Sequence, residues 1–462
     1  MSEERPDNVD TEIVTARPSR PGRLSALRTA LDEGAVRAAE RIINTLHPAE
    51  MAQLLESLPP QRRELVWEMI DPELDGDVLV ELSEDVRTQL IREMDAEELA
   101  AATEGLEVDD LADLLADLPE TVTRQLLHNM DQQDRERLSR VLSWPEDSAG
   151  GLMSTDTVSV RADVSLQVVQ RYLRMRGELP ERTDRLFVVD RSDRFLGTVT
   201  LARLLTDDPE RLVGASLDSD APRIAPELPA SEVSQLFRDR DLVSAPVVDD
   251  AGLLLGRITV DDVVDVIAEE AAHEVMAGAG LRDEEDAFAP VLTTTRRRLL
   301  WLGINLCTAM LAGLVVQRFE GTIEKVAALA VLMPVVSSMG GIAGSQTVVL
   351  IIRSMALGQV EWRDARFLLF REMSVGAING LAMSAILAAI TVAWLGTWQI
   401  AVILTFAMVT NLLAAALVGV MVPLTLRRLQ IDPALAAGVI LTAFTDCIGF
   451  ATLLGLGTLF LT

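Results

Sequence analysis

The chain has 462 residues, with 41 Lys and Arg against 70 Asp and Glu and a formal net charge of −29. Residues 296–462 hold eleven Lys and Arg against seven Asp and Glu, so residues 1–295 hold 30 against 63, a net of −33. A half that acidic repels polyanions and gathers cations, which argues against nucleic acid as a partner. Two cysteines, Cys307 and Cys447, lie in apolar segments and read as small buried hydrophobes rather than a disulfide framework. Three scattered histidines, His47, His128 and His273, argue against a His-based metal site.

Residues 1–22 are polar and proline-bearing, too acidic for a secretory signal, and read as a disordered lead. From Leu24 to Leu142 short stretches repeat a theme: an acidic or proline start, leucines at helical spacing, then a stop. That pattern predicts stacked short helices with a leucine core. Residues 186–205 (LFVVDRSDRFLGTVTLARLL) then match residues 245–264 (APVVDDAGLLLGRITVDDVV) at a constant offset of 59. Each copy predicts strand, tight turn, strand and helix, preceded by an amphipathic helix near Val164–Arg176 and Ser231–Asp239. The pair resembles tandem CBS (cystathionine-β-synthase-type) motifs, which fold as one pseudo-twofold α/β module. An acidic helix follows from about Asp262, and a polar connection over 281–295 leads to Arg296–Arg298.

Five apolar segments close the chain, at about 299–317, 326–356, 369–395, 399–426 and 434–461. Each is long enough to cross a hydrocarbon core of about 30 Å, for which about 20 helical residues suffice. Basic residues cluster at alternate connections, which predicts the N-terminal half in the cytoplasm and the C-terminus outside a cell membrane. The second segment carries Pro334, Gly340, Gly341 and Gly344. Those residues predict either close helix packing or an irregular backbone whose carbonyls approach an ion. The last carries Asp446, with no Lys or Arg after Arg428 to pair with it, and an outside cation is the simplest missing partner.

Five spans, the stretch GSQTVVLIIRSMALGQ ending the second, and IDPALAAGVILTAFTDCIG in the last together resemble the MgtE-type magnesium transporters. The likeness extends upstream through EDSAGGLM, the CBS pair, the acidic helix and the helical N-terminal part, so it covers essentially the whole chain. It implies a multidomain protein: lead 1–22, α-helical superhelical domain 23–145, α/β CBS pair 146–264, acidic connecting helix 265–295, and an all-α five-helix transmembrane domain 296–462. It implies a homodimer in the bilayer that conducts Mg²⁺ down its gradient and is not an enzyme. Asp446 would bind the ion in the pore, with Gly341 and Thr442 carbonyls on its waters. That suits Mg²⁺, which keeps several waters and is held by one or two carboxylates. Asp77, Asp109, Asp113, Asp262, Asp265, Glu270 and Glu274 would form a regulatory site where cytoplasmic Mg²⁺ draws the acidic domains together. Thr259 and Asp262 match a T-x-x-D contact for the ribose of a nucleotide such as ATP, and Arg203 replaces that aspartate in the first repeat.

The chain departs from the family pattern at Ile342, where G-G-N is common, at Gly438-Val439, where Asn-Pro is common, and at His273, where an acid is usual. These positions bear on ion selectivity. They keep open a transporter for another divalent ion such as Co²⁺ or Mn²⁺, or an exporter. A third reading is a non-conducting membrane sensor of metal or nucleotide. No P-loop or nucleophile–base pattern occurs, which disfavours an ATP-driven pump.

Overall fold

The structure, a computed structural model, describes residues 27–461 apart from 28, 32, 34, 105, 117, 119–122, 124–126, 128, 129, 131 and 282–285. The polar lead and His128 lie outside the described residues. Two compact units result, Met1–Ile267 with Glu284–Ala289, and Ala268–Asp283 with Pro290–Thr462.

The first unit opens with short helices: α1 (Val36–Ile43), α2 (Pro48–Glu56), α3 (Pro60–Trp67), α4 (Asp75–Val80), α5 (Glu84–Ile91), α6 (Ala96–Ala102), α7 (Val108–Ala116) and α8 (Gln132–Val141). Their starts explain the repeated acidic or proline theme. His47 and Asp95 each close a capping box, with Glu50 and Glu98 respectively, and α2 and α3 carry proline in their first turn. Such residues satisfy or remove backbone donors that an α-helix leaves unbonded. The predicted leucine core is present: Leu54, Leu55, Leu79 and Leu114 are fully buried. Arg63 is also fully buried; its guanidinium donates to the Leu55 and Leu58 carbonyls and to Gln89, and pairs with Asp286 at 3.0 Å.

Next come β1 (Ser159–Arg161), α9 (Leu166–Arg176), β2 (Arg185–Val189), β3 (Phe195–Thr200), α10 (Leu201–Thr206), α11 (Ala230–Arg240), β4 (Ser244–Val248) and β5 (Leu254–Thr259). The offset of 59 residues survives as register: Val188 faces Gly197 across β2–β3, and Val247 faces Gly256 across β4–β5, both antiparallel. The turn aspartates repeat as well, Asp190 accepting from the Ser192 and Arg194 amides and Asp249 from the Leu253 amide. β1, which the repeat did not predict, adds to β2 in parallel, and its counterpart in the second copy is a single bridge between Ile224 and Val247. The second copy shares one apolar core with the N-terminal helices, through Val233, Phe237, Val247, Ile258 and Val263.

The two repeat glycines are there for space. A Cβ at Gly197 would lie 2.3 Å from the Asp218 carbonyl oxygen, and one at Gly256 would lie 2.7 Å from that of Ser154. Gly197→Ala is expected to destabilise this unit by about 1–3 kcal/mol through overpacking against backbone. The check is the thermal midpoint of the purified chain; an unchanged midpoint would contradict the close approach.

A continuous helix, α12 (Val260–Gly278), leaves β5 and runs unbroken through the expected boundary at 264/265 into the second unit. Among the described residues five helices are long and apolar enough to cross a membrane. They are α13 (Val291–Gln317), α15 (Ala328–Ala356), α16 (Ala365–Leu395, preceded by a turn from Trp362), α17 (Trp398–Arg428) and α18 (Pro433–Leu461). A short α14 (Glu320–Lys325), not foreseen in the sequence, joins the first two. Arg296–Arg298 lie inside α13 rather than before it. α17 is the centre of this bundle and packs on α15, α16 and α18. More than half of its apolar window (56%) is buried, against 6% for α13. Cys307, on that outer helix, is exposed, which corrects the reading of it as a buried hydrophobe; Cys447 is half-buried.

Candidate functional site

Asp446 has a partner within the chain. The Ser337 hydroxyl of α15 donates to its carboxylate across the interface with α18. The helices run antiparallel with a register marked by small residues: a Cβ on Gly344 would press on Leu441 at 2.4 Å, and one on Gly457 on Leu329 at 2.5 Å. Helical spacing of four then puts Gly341 one turn from Ser337 and Thr442 one turn from Asp446, on the same side of that hydrogen bond. The Thr442 hydroxyl, which is exposed, donates to the Gly438 carbonyl at 3.0 Å.

The glycine-rich second span is one regular helix containing Pro334, with no unwound stretch. The expectation of an irregular backbone is therefore corrected, and at Gly340 and Gly344 the glycines serve close packing. Gly340 receives the side chain of Asn411, Gly344 receives Leu441, and only Gly341 has open space where a side chain would be. Ile342 is 55% exposed, so this departure from the family pattern does not fill the bundle interior.

The structure also shows a second buried carboxylate on a candidate spanning helix that the sequence reading passed over. Glu372 on α16 is buried, accepts from the Thr347 hydroxyl at 3.1 Å, and pairs with Arg371 at 3.2 Å. It borders a cavity of about 210 Å³ with Gln346, Asn379 and Leu412. Glu372 stands near the start of the segment at 369–395 and beside Arg371, so the signal that singled out Asp446, a lone charge deep in an apolar span, is weaker there.

In the first unit, the start of α7 meets the start of α12. Asp109 is 6% exposed and its Oδ1 has no hydrogen-bond partner. Burial, then the charges of Asp262, Asp110 and Glu107, hold its carboxyl well above the usual range. Burial pushes Asp262 up to about 7, against the opposing pull of the Thr259 amide, with Asp261 and Asp110 raising it further. Asp110 is pushed to about 6 by burial, Glu107 and Asp261. Asp265 and Glu81 keep much of their surface exposed; partial desolvation and the charge of Asp261 raise the first, and partial desolvation with Asp265 as the largest neighbouring charge raises the second. These shifts mark carboxylates crowded together, with Asp109, Asp110 and Asp262 also drawn out of water.

Asp109, Asp262 and Asp265 are thus brought into one acidic zone. Asp77, exposed on α4, reaches it through Glu81, and Asp113 follows Asp109 by one turn. Glu270 is exposed further along α12, and the side chain of Glu274 lies outside the described residues. The zone also holds Glu81, Glu107, Asp110 and Asp261, which the sequence reading missed although two of them adjoin chosen residues. Arg182 pairs with Asp261 at 2.7 Å. The buried Arg257 donates to the Glu181 carbonyl, leaving its Nε without a partner. Among the described residues no three carboxylate, imidazole or thiol groups already converge as a metal cage.

Thr259 and Asp262 are turned on one another: Asp262 Oδ2 lies 3.0 Å from both the Thr259 amide and its hydroxyl. In the first repeat Arg203 donates instead to the Ser216 carbonyl. His273 of α12 sits 3.1 Å from Asp432, whose other oxygen accepts from the Ala434 amide at the head of α18.

A bundle of apolar spanning helices with carboxylates inside it, following an acidic helical domain and a paired α/β module, defines a multi-pass membrane transport protein. The chain belongs to the MgtE family. Its divalent cation transporter profile matches residues 333–456, its intracellular N domain 46–147, and the CBS domain profile 149–209 and 215–269. The chain is 31% identical to the magnesium transporter MgtE of Thermus thermophilus, over 94% of this chain and 98% of that one. It is 27% identical to the MgtE of Bacillus subtilis, over 93% and 96%. Among solved structures, it is similar to the cytosolic domain of the Mg²⁺ channel MgtE in complex with ATP, at 30% identity and a TM-score of 0.49. That likeness covers 53% of this chain and 99% of the other.

Proposed function

We propose that this transporter carries Mg²⁺ passively down its electrochemical gradient, and that cytoplasmic Mg²⁺ closes it. The observation that carries the first part is Asp446, a carboxylate inside a spanning helix whose recorded partner is the neutral hydroxyl of Ser337. A hydrated Mg²⁺ takes a carboxylate and hydrogen-bond acceptors around its waters. Gly341 and Thr442 lie one turn away on the helices that carry this pair. Homodimerisation would set two Asp446 side chains across a twofold axis. The sparsely buried α13 supports either lipid or a second copy around the bundle.

The second part rests on the acidic zone. Asp109, Asp262 and Asp265, with Asp110 and Asp261, are crowded in this structure, and a divalent cation relieves such crowding. Asp77, Asp113, Glu270 and Glu274 extend the proposed regulatory set. α12 is continuous from this zone to the second unit and is the natural transmitter. Basic residues at alternate connections support a cytoplasmic first unit and an external C-terminus. Nucleotide binding at Thr259 and Asp262 would require their mutual hydrogen bonds to open.

The test is uptake into proteoliposomes loaded with a Mg²⁺ indicator under an inward gradient and without nucleotide. Mg²⁺ entry that stops when millimolar Mg²⁺ faces the first unit is expected. Co²⁺ or Mn²⁺ entry without Mg²⁺ entry would favour another divalent ion, the reading that Ile342, Gly438 and Val439 keep open. No flux of any of the three would favour a sensor.

A further inference from the structure

Asn411 lies at the centre of the membrane bundle and belongs to none of the sites described above. It is fully buried on α17. Its Nδ2 donates to the Val336 carbonyl of α15 at 2.8 Å, while its Oδ1 is buried without a hydrogen-bond partner. Two glycines, one on each neighbouring helix, make room for it. A Cβ at Gly340 on α15 would lie 2.2 Å from the amide nitrogen, and one at Gly449 on α18 would lie 3.0 Å from it.

Those contacts bracket the proposed ion site. Val336 is the residue before Ser337, and Gly449 is one helical turn beyond Asp446. A single amide therefore grips the backbones of the two helices whose side chains make the Ser337–Asp446 pair. Space filling alone does not account for an amide here. A leucine has similar volume and leaves no acceptor desolvated and unpaired. What the amide adds is direction: its bond to Val336 holds the rotation of α15, and its fit against Gly449 holds the approach of α18.

Resting on the reading of Asp446 as the ion site, we propose that Asn411 is a positioning residue that sets the spacing of Ser337 and Asp446 and thereby the fit for hydrated Mg²⁺. Mg²⁺ demands near-ideal octahedral geometry and gives up water reluctantly, so it is sensitive to that spacing. A looser site favours ions that shed water more readily.

The test is concentration-dependent flux in proteoliposomes of the full chain, with Asn411→Leu, Ser337→Ala, the double variant, and Asp446→Asn alongside. Asn411→Leu is expected to raise the half-saturating Mg²⁺ concentration by about tenfold, the scale of one lost hydrogen bond. It should also lower the ratio of Mg²⁺ to Co²⁺ entry. In the double variant the effects should fall well short of multiplying, because both act on the placement of Asp446. A merely structural role would reduce the maximal rate through less folded protein and leave half-saturation and ion ratio alone; that result overturns the proposal, as does full multiplication. Should Asn411→Leu not fold, Gly449→Ala presses on the same amide more gently and should shift half-saturation by about threefold in the same direction. Unaltered flux in Asp446→Asn would overturn the ion-site reading and this proposal together. Lost flux there, with an unmoved half-saturation in the Asn411 and Gly449 variants, would overturn the Asn411 role alone.

Discussion

Replacing Asp446 by asparagine should lower the initial rate of Mg²⁺ entry into proteoliposomes by about 100-fold or more. Asparagine keeps the shape and the acceptor for Ser337, so the variant isolates the charge. A charge-assisted contact contributes about 1.5–3 kcal/mol, and each 1.4 kcal/mol is about a factor of ten. If two copies face one another across a dimer axis, the loss is felt twice. Glu372 does not compensate, since it lies on α16 and is already paired with Arg371. Wild-type flux in Asp446→Asn, with the protein folded in detergent, would place the cation path elsewhere.

Raising the pH from 5 to 8 in the presence of a chelator should destabilise the first unit, and millimolar Mg²⁺ at pH 8 should restore it. Asp262 moves from 3.8 to about 7 and Asp110 from 3.8 to about 6. A carboxylate with a raised pKa binds its proton more tightly in the folded state than in the unfolded one. Stability is therefore greatest in acid and falls as pH rises from about 4 to about 7. Each unit is about 1.36 kcal/mol, so Asp262 alone accounts for roughly 4 kcal/mol. The two aspartates interact, and their contributions do not simply add. For a unit of this size the thermal midpoint should fall by roughly 10 °C across the window. Asp262→Asn should flatten the profile and blunt the rescue by Mg²⁺. A flat profile in the unmodified chain, or a midpoint at pH 8 indifferent to Mg²⁺, would remove the basis for cation-driven closure.

Much of the architecture was legible because it is periodic. The offset of 59 residues gave matching strands, turns and glycines, since a strand pair repeats its side-chain alternation wherever the same residues recur. The five spans were legible from length and hydropathy alone. The glycines of α15 were not, because glycines four apart suit both an opened backbone and a close helix contact. Their neighbours Asn411 and Leu441 lie 71 and 97 residues further along and settle the matter. Ser337 was equally hidden, as a serine in an apolar helix looks the same whether it bonds its own backbone or a carboxylate on another helix.

The amino-acid sequence by itself determined the order of domains, the repeat, the spans and the presence of Asp446. These depend on composition and local period, which tertiary contacts cannot change. Only the tertiary structure decided which charges meet. Asp109 and Asp262 are 153 residues apart, and the crowding that lifts their pKa values arises from desolvation where α7 packs against α12. The same holds inside the bundle, where the side chain of Asn411 and two distant glycines fix the helices that present Ser337 to Asp446. Burial and close approach are properties of packed surfaces, and a chain read residue by residue carries no record of which surfaces will pack.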